Sequence, residues 1–185
     1  MDLRMQTALV ILDQQKGIDN PKLGPRNNKN AQAEILKLLV KWRELEWPIF
    51  HVRHRSTHID SVFWPDQDGF EFKPEFVPLD NEAEIEKRTP CAFINTNLQS
   101  LLNQNGITSV VVVGASTNNS IEASVRTGSC LGFTIMVIED ACFAFAKRDY
   151  FGIQRSAEEV HAMSLANLNG EYARVVRSAD LIFGK

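Results

Sequence analysis

The chain has 185 residues, with 44% hydrophobic and 23% charged side chains and a formal net charge of −3, which is typical of one soluble globular domain with a full core. It contains neither a basic block nor a zinc-finger spacing, so we expect no nucleic-acid partner. It also contains no apolar run of membrane-spanning length and no secretory leader pattern at its start, so we expect a cytoplasmic protein without membrane contact.

Apolar runs of strand length, bounded by polar, Gly or Pro residues, predict a six-stranded β-sheet. The most apolar runs are Thr7–Leu12 and the valines of Val110–Val113. Such runs are typical of strands that are buried on both faces, and therefore of a parallel sheet. The remaining strands are predicted at residues 48–54, 84–87, 134–138 and 174–176.

Amphipathic segments between these strands predict helices. In the helix predicted over residues 157–172, an apolar side of Val160, Met163, Ala166, Leu168 and Ala173 is expected to be buried. The other helices are predicted around residues 35–45, from Thr96 to Gly106 and from about Ser120 to Cys130, with a short one capped by Ser178.

Strands that alternate with helices in this way predict one α/β domain over residues 1–185. We expect a doubly wound, mostly parallel six-stranded sheet with helices on both faces, which is a Rossmann-like arrangement of three layers.

A strand, a tight turn and a helix follow one another between residues 110 and 130. Gly114 ends the valine strand, and the residues at 117–119 are Thr, Asn and Asn, which are favourable N-cap types. Ser120 is therefore expected in the first turn of the helix, where free backbone N–H groups can stabilise an oxyanion. The same position also suits a polar residue without a chemical role.

Three polar residues are expected at one edge of the predicted sheet. Asp13 follows the first strand, Lys87 ends the third and Ser120 follows the fourth. The carboxyl ends of parallel strands share an edge, so these side chains could converge there. The glycine-rich motifs that bind dinucleotides or phosphates do not occur in the sequence.

The connection between residues 55 and 81 is long for a compact domain and rich in aromatic residues. It could form a lid or pocket wall carrying Phe63 and Trp64, or it could pack beneath the loop or at a subunit contact. The side chains of Trp64, Phe72 and Phe76 together would give a monomer more exposed apolar surface than is usual. We therefore expect the chain to form a homo-oligomer.

His51, His54 and His58 invite a metal site. The alternation of side chains along a strand places His51 and His54 on opposite faces, so we expect no metal site and no cofactor. The cysteines are odd in number and widely spaced, and we interpret them as small hydrophobic residues in a reducing compartment. They are Cys91, between Pro90 and Ala92, Cys130, at a helix end, and Cys142, expected after a strand.

The order and surroundings of the three polar residues resemble the isochorismatase-like (cysteine) hydrolase superfamily. The similarity covers nearly the whole chain and is strongest from Val113 to Glu122. It also includes Ala8–Gln15, Ile85–Arg88 and Ala92–Phe93, then Thr96–Leu98, Gly106–Ile107, Leu131–Phe133 and Asp140–Ala141. Each piece is short, but together and in this order they are specific.

The resemblance implies that Asp13 and Lys87 assist a nucleophile at position 120, where the family has cysteine and this chain has serine. It also implies a cis peptide bond between Ala115 and Ser116, and an oxyanion hole formed by the backbone N–H groups of Ser116 and Ser120. The residues expected to line the substrate pocket are Gln15, Phe63, Trp64, Ala115 and Asn119.

Serine at position 120 leaves three interpretations open. Ser120 could be a slow, base-assisted nucleophile, since a serine hydroxyl is less readily activated than a thiol. Asp13 could instead act alone as the acid that protonates a vinyl ether, as in isochorismatases of this superfamily. The serine could also be an engineered replacement, or mark a silent member that only binds small molecules. The leading hypothesis is a hydrolase of a small amide or related C–N bond.

Overall fold

A six-stranded parallel sheet forms the centre of the computed structural model, which describes residues 2–3 and 7–183. In space the strands are ordered β3-β2-β1-β4-β5-β6. Their bounds are Thr7–Leu12 (β1), Ile49–His54 (β2), Ala83–Lys87 (β3), Ser109–Ala115 (β4), Thr134–Phe143 (β5) and Arg174–Val176 (β6). The predicted fold class is confirmed.

Helices cover both faces of the sheet, as predicted. Helix α1 packs on one face, and α2, α3 and α4 pack on the other. Among the residues described, no helix is both long and apolar enough to cross a bilayer. The helix bounds are Ala31–Glu44 (α1), Leu98–Gln104 (α2), Glu122–Cys130 (α3) and Ala157–Leu168 (α4), with a short 3₁₀ turn at Ser178–Asp180.

The valine run forms the middle of the core. Val110 and Val112 contact the cluster that includes α2, α3 and α4, whereas Val111 and Val113 contact the cluster that includes α1. All four side chains are at most 3% exposed. Burial on both faces explains why this strand lacks the alternating polar residues of a half-exposed sheet.

The connections reverse direction between β1 and β4. From β1 the chain proceeds outward through β2 and β3, and it then returns to pair β4 with the other side of β1. Ligands of open α/β sheets bind in the crevice at the carboxyl ends of such a pair of strands. Asp13 and the turn that follows Ala115 lie at this point.

The buried side of α4 differs from the predicted one. Leu168 and Ala173 are buried as expected, but Met163 is 66% exposed, Ala166 is exposed and Val160 is only half-buried. The helix also ends at Leu168 rather than near Tyr172.

Polar residues occupy the buried side of α4 because each has a hydrogen-bond partner. His161 Nδ1 lies 2.8 Å from Thr117 Oγ1, and Ser164 Oγ donates to Glu122 Oε2 at 2.5 Å. Buried polar groups cost little when they are paired. The apolar pattern alone therefore predicted only part of the buried side of the helix.

Strand β5 extends to Phe143, beyond the end predicted at residue 138. The pairing with β4 shifts register between Val112 and Gly114, which accommodates the extra residues. Cys142 was predicted to follow the strand, but it lies within the strand. Its side chain is fully buried. Burial raises the pKa of the Cys142 thiol above its ordinary range.

The long connection is packed against the chain itself. Phe72 and Phe76 are 8% and 1% exposed, so the predicted reason for self-association is wrong. Gly17 and Gly69 meet the carbonyl of Val62 so closely that a side chain at either glycine would collide with it. These contacts hold the connection against the loop after β1.

A different apolar surface is exposed on residues 147–155, which we name the aromatic arm. Its two ends pair as short antiparallel strands, and Tyr150 and Phe151 at its tip are 96% and 83% exposed. Asp149 Oδ1 accepts the N–H groups of Phe151 and Ile153 at 3.0 and 2.9 Å, so the tip is held in one conformation. A groove of about 830 Å³ lies between the arm and the exposed side of α4, which carries Met163.

We propose that two copies of the chain associate through the aromatic arm. The exposed Tyr150 of the tip also lines the groove, so a twofold contact would place this surface against its counterpart on the second copy. Aromatic residues contribute strongly to such contacts. Sedimentation at micromolar concentration should give a dimer or larger species. Tyr150→Ser combined with Phe151→Ser should give the 20.9 kDa monomer, whereas Ile59→Ser, at a separate 73% exposed site, should not. A wild type that sediments only as monomer would contradict the proposal.

Candidate active site

A cavity of about 360 Å³ opens where β1 and β4 end. Asp13, Lys87 and Ser120, at most 4% exposed, form its innermost part. The cavity has apolar and basic walls, formed by Ile18, Leu23, Phe63 and Phe145 and by His54, His58 and Arg88.

Asp13 is held at the end of β1 by the backbone. Its N–H donates to the Val52 carbonyl at 2.8 Å, which continues the pairing with β2. Its φ of 56° lies in the left-handed region, which aspartate tolerates better than most residues. The chain therefore turns away immediately after Asp13.

Lys87 is the last residue of β3 and lies directly opposite His54 of β2. Its side chain is 1% exposed. The ammonium group donates to Asp13 Oδ2 at 3.0 Å and to Ser120 Oγ at 3.2 Å. A buried lysine needs such partners, because an unpaired cation in the interior is costly.

Ser120 lies in a π-helical turn, Thr117–Ile121, which leads directly into α3. The Ile121 N–H donates to the Ser116 carbonyl at 3.2 Å, which is the wide hydrogen bond of a π-turn. Thr117, one of the predicted N-cap residues, does not cap the helix with its side chain. Its hydroxyl group is hydrogen-bonded to His161 Nδ1 instead. Ser120 is therefore in the first turn, as expected, but that turn is wider than an α-helical one.

The turn before Ser120 is closely packed against β1. Gly114 has a φ of 118°, and a side chain there would collide with the Leu12 carbonyl, so only glycine suits this position. The Ala115–Ser116 peptide bond is cis, as the family resemblance implies. Ser116 lines the cavity, and its N–H has no backbone acceptor among the described residues.

The three polar side chains form a closed hydrogen-bonded triangle. Ser120 Oγ donates to Asp13 Oδ2 at 2.6 Å, and the Lys87 ammonium group contacts both of these atoms. Asp13 Oδ1 is buried without a partner among the described residues. The Asp13 carboxylate accepts a hydrogen bond from the Ser120 hydroxyl group, and the neighbouring Lys87 cation can stabilise an alkoxide. This arrangement can activate a nucleophile.

Comparison with known proteins identifies the family. The model of the isochorismatase domain matches residues 7–180. The chain belongs to the isochorismatase family. The predicted resemblance is therefore confirmed.

Two relatives of this family match over nearly the whole chain. The isochorismatase family protein YrdC of Bacillus subtilis is 38% identical over 175 residues, which cover 95% of this chain and 94% of that protein. The solved structure of an isochorismatase-family protein from Chromobacterium violaceum has a TM-score of 0.92 at 47% identity and covers 96% of this chain and 92% of that one. A third relative, the ureidoacrylate amidohydrolase RutB of Acinetobacter baylyi, is 32% identical over 99 residues, 54% of this chain and 36% of that protein.

The predicted pocket residues of this family member fall into two groups. Phe63 and Asn119 line the cavity. Gln15 and Ala115 are fully buried and do not line it, and Trp64 borders a neighbouring depression of about 330 Å³. The Gln15 amide instead donates to the Phe70 carbonyl at 2.8 Å, which attaches the long connection to the loop after β1.

The basic wall of the cavity was not predicted as part of the site. His54 was considered only as a metal ligand, and the pairing of His54 with Lys87 across β2 and β3 is the signal that locates it. His51 lies elsewhere, with its Nε2 2.8 Å from Glu82 Oε2. Within residues 7–183, no three His, Cys, Asp or Glu side chains are grouped to hold a metal ion, and the absence of a required cofactor stays a prediction.

Proposed function

We propose that this isochorismatase-family chain is a hydrolase that cleaves the C–N bond of a small amide or a related compound, with Ser120 as nucleophile. The observation that carries the proposal is the buried triangle of Asp13, Lys87 and Ser120, whose hydrogen bonds measure 2.6 to 3.2 Å. The triangle faces a cavity rather than the protein core, so its polar groups are available to a substrate.

The first half of the reaction transfers the acyl group to the protein. Ser120 Oγ attacks the amide carbonyl carbon as its proton moves to Asp13 Oδ2. The Lys87 cation stabilises the negative charge that develops on Oγ. The backbone N–H groups of Ser116 and Ser120 receive the carbonyl oxygen. Asp13 then gives the proton to the departing nitrogen, and the C–N bond breaks.

The substrate is small, because a cavity of about 360 Å³ is near the lower limit of ligand pockets. The lining of the cavity combines apolar side chains with Arg88 and two histidines, and His54 packs directly against Phe63. A compound with one apolar part and one polar or anionic part fits these walls. The name of one partial relative, an amidohydrolase, supports the choice of a C–N bond.

The proposal is tested by incubating the purified protein with a panel of small primary amides and ureides. We expect ammonia release from at least one of them. Added hydroxylamine should divert part of the acyl group into a hydroxamate, because an acyl-enzyme can be attacked by either nucleophile. The proposal fails if no compound of the panel releases ammonia and none yields a hydroxamate.

A further inference from the structure

His54 has a fixed position beside the triangle. Its backbone N–H donates to Gln15 Oε1 at 2.7 Å, and Gln15 Nε2 donates to its carbonyl at 3.0 Å. Its ring packs edge-on against Phe63, with centroids 6.0 Å apart, and both residues line the cavity. The imidazole is therefore positioned by the backbone hydrogen bonds of His54 and by its packing against Phe63, and not by a hydrogen bond of the ring.

The His54 ring forms no hydrogen bond with the described part of the chain, and its Nδ1 is buried without a partner. His51 Nδ1 is unpaired in the same way, but the rings of the buried His51 and His161 each have a side-chain partner, Glu82 and Thr117, whereas the half-buried His54 ring has none among the described residues. Buried polar groups are nearly always paired. An imidazole left unpaired at a cavity is therefore expected to bind water or substrate.

The charges around His54 favour a neutral ring. Burial and, next, the Lys87 cation lower the pKa of His54 below 6.5, although Asp13 acts in the opposite direction. Arg88 and His58 line the same cavity and add no negative charge. A neutral imidazole can accept a proton at neutral pH.

We propose that His54 is the base that activates water to release the acyl group from Ser120, which extends the proposed function to its second half. Asp13 Oδ2 accepts from Lys87 at 3.0 Å and stays paired with that cation once Ser120 is acylated. The uncharged ring of His54 has no such cation on it and can take the water proton.

The step balances as an ester hydrolysis. Water gives one proton to His54 while its oxygen bonds the acyl carbon. The bond from that carbon to Ser120 Oγ then breaks, and the free acid leaves. Ser120 Oγ takes a proton from the Lys87 ammonium group, which already contacts it at 3.2 Å. Water in the cavity, which both residues line, takes the proton from the His54 imidazolium and returns one to Lys87, so the site regains its starting state.

The test uses 4-nitrophenyl acetate, because its acylation and deacylation steps can be followed separately. His54→Gln should keep the burst of nitrophenolate, about one per chain, and slow the steady rate about 10²-fold or more. The acetyl group should accumulate on Ser120 and be located there by peptide mass analysis. His51→Gln, on the same strand but away from the cavity, should keep the wild-type ratio of burst to steady rate.

The wild type provides a second measurement that needs no variant. Its deacylation rate should fall as the pH drops through the pKa of His54, since the protonated ring cannot accept a proton. Deacylation that does not slow at any pH below 6.5 would overturn the inference, as would a wild-type steady rate in His54→Gln. Absence of any acetylation in the wild type would overturn the proposed function as well.

Discussion

Asp13→Asn is expected to reduce amide turnover by about 10² to 10⁴-fold, which is the usual contribution of a general acid–base group. The asparagine amide cannot accept the Ser120 proton. It also leaves the Lys87 ammonium, which is 1% exposed, without an anion. Breaking such a buried pair from one side costs about 3–5 kcal/mol in the free energy of unfolding. Turnover and denaturant unfolding of the variant measure both losses.

A double variant separates the two losses. Asp13→Asn combined with Lys87→Met removes both charges, so it should be less destabilised than the sum of the single variants, while remaining inactive. Asp68→Asn is the matched control, because among the described residues the exposed Asp68 carboxylate forms an ion pair with Lys16 at the surface, and it should behave as wild type. An Asp13→Asn variant with turnover within a few-fold of wild type would contradict the role of Asp13.

Ser120→Ala should abolish turnover of amides with little effect on folding. The variant loses the two hydrogen bonds of Ser120 but keeps the contact between Lys87 and Asp13 at 3.0 Å, so the loss in unfolding free energy should be about 1–3 kcal/mol. No other hydroxyl donates to Asp13 within the described residues. Kinetics with whichever amide the wild type cleaves provide the measurement.

The same variant distinguishes the competing chemistry. If Asp13 protonates a vinyl ether without a nucleophile, Ser120→Ala should keep most of the activity and Asp13→Asn should lose it. Ser129→Ala, at the far end of α3, provides the same substitution away from the cavity. Full activity in Ser120→Ala would exclude Ser120 as the nucleophile.

The strands of the sheet could be predicted because buried strands consist of uninterrupted apolar residues, which are visible in the sequence. Thr7–Leu12 has the predicted bounds, and the valine run is buried on both faces as expected. Parallel strands share one carboxyl edge, which is why Asp13, Lys87 and Ser120 could be expected to meet despite their separation along the chain. Their hydrogen bonds bear out that expectation of geometry.

Features that depend on particular side-chain partners could not be predicted. The buried side of α4 is set by the partners of His161 and Ser164, and hydrophobic periodicity does not contain that information. The position of Trp64 follows from the packing of the long connection, where Gly69 meets Val62 and the Gln15 amide meets the Phe70 carbonyl. A pocket wall formed by such a loop requires the folded structure.

The reactivity of a Ser120→Cys thiol tests most directly whether the site is preorganised for acyl transfer. A thiol beside Lys87 at the start of a helix should have a lowered pKa, commonly between about 3.5 and 7.5 at such positions. We therefore expect iodoacetamide to alkylate residue 120 faster than the exposed Cys130, with half-maximal rate below about pH 7.5. The buried Cys142 should react slowest. A thiol at position 120 that reacts no faster than Cys130 at any pH would contradict the account.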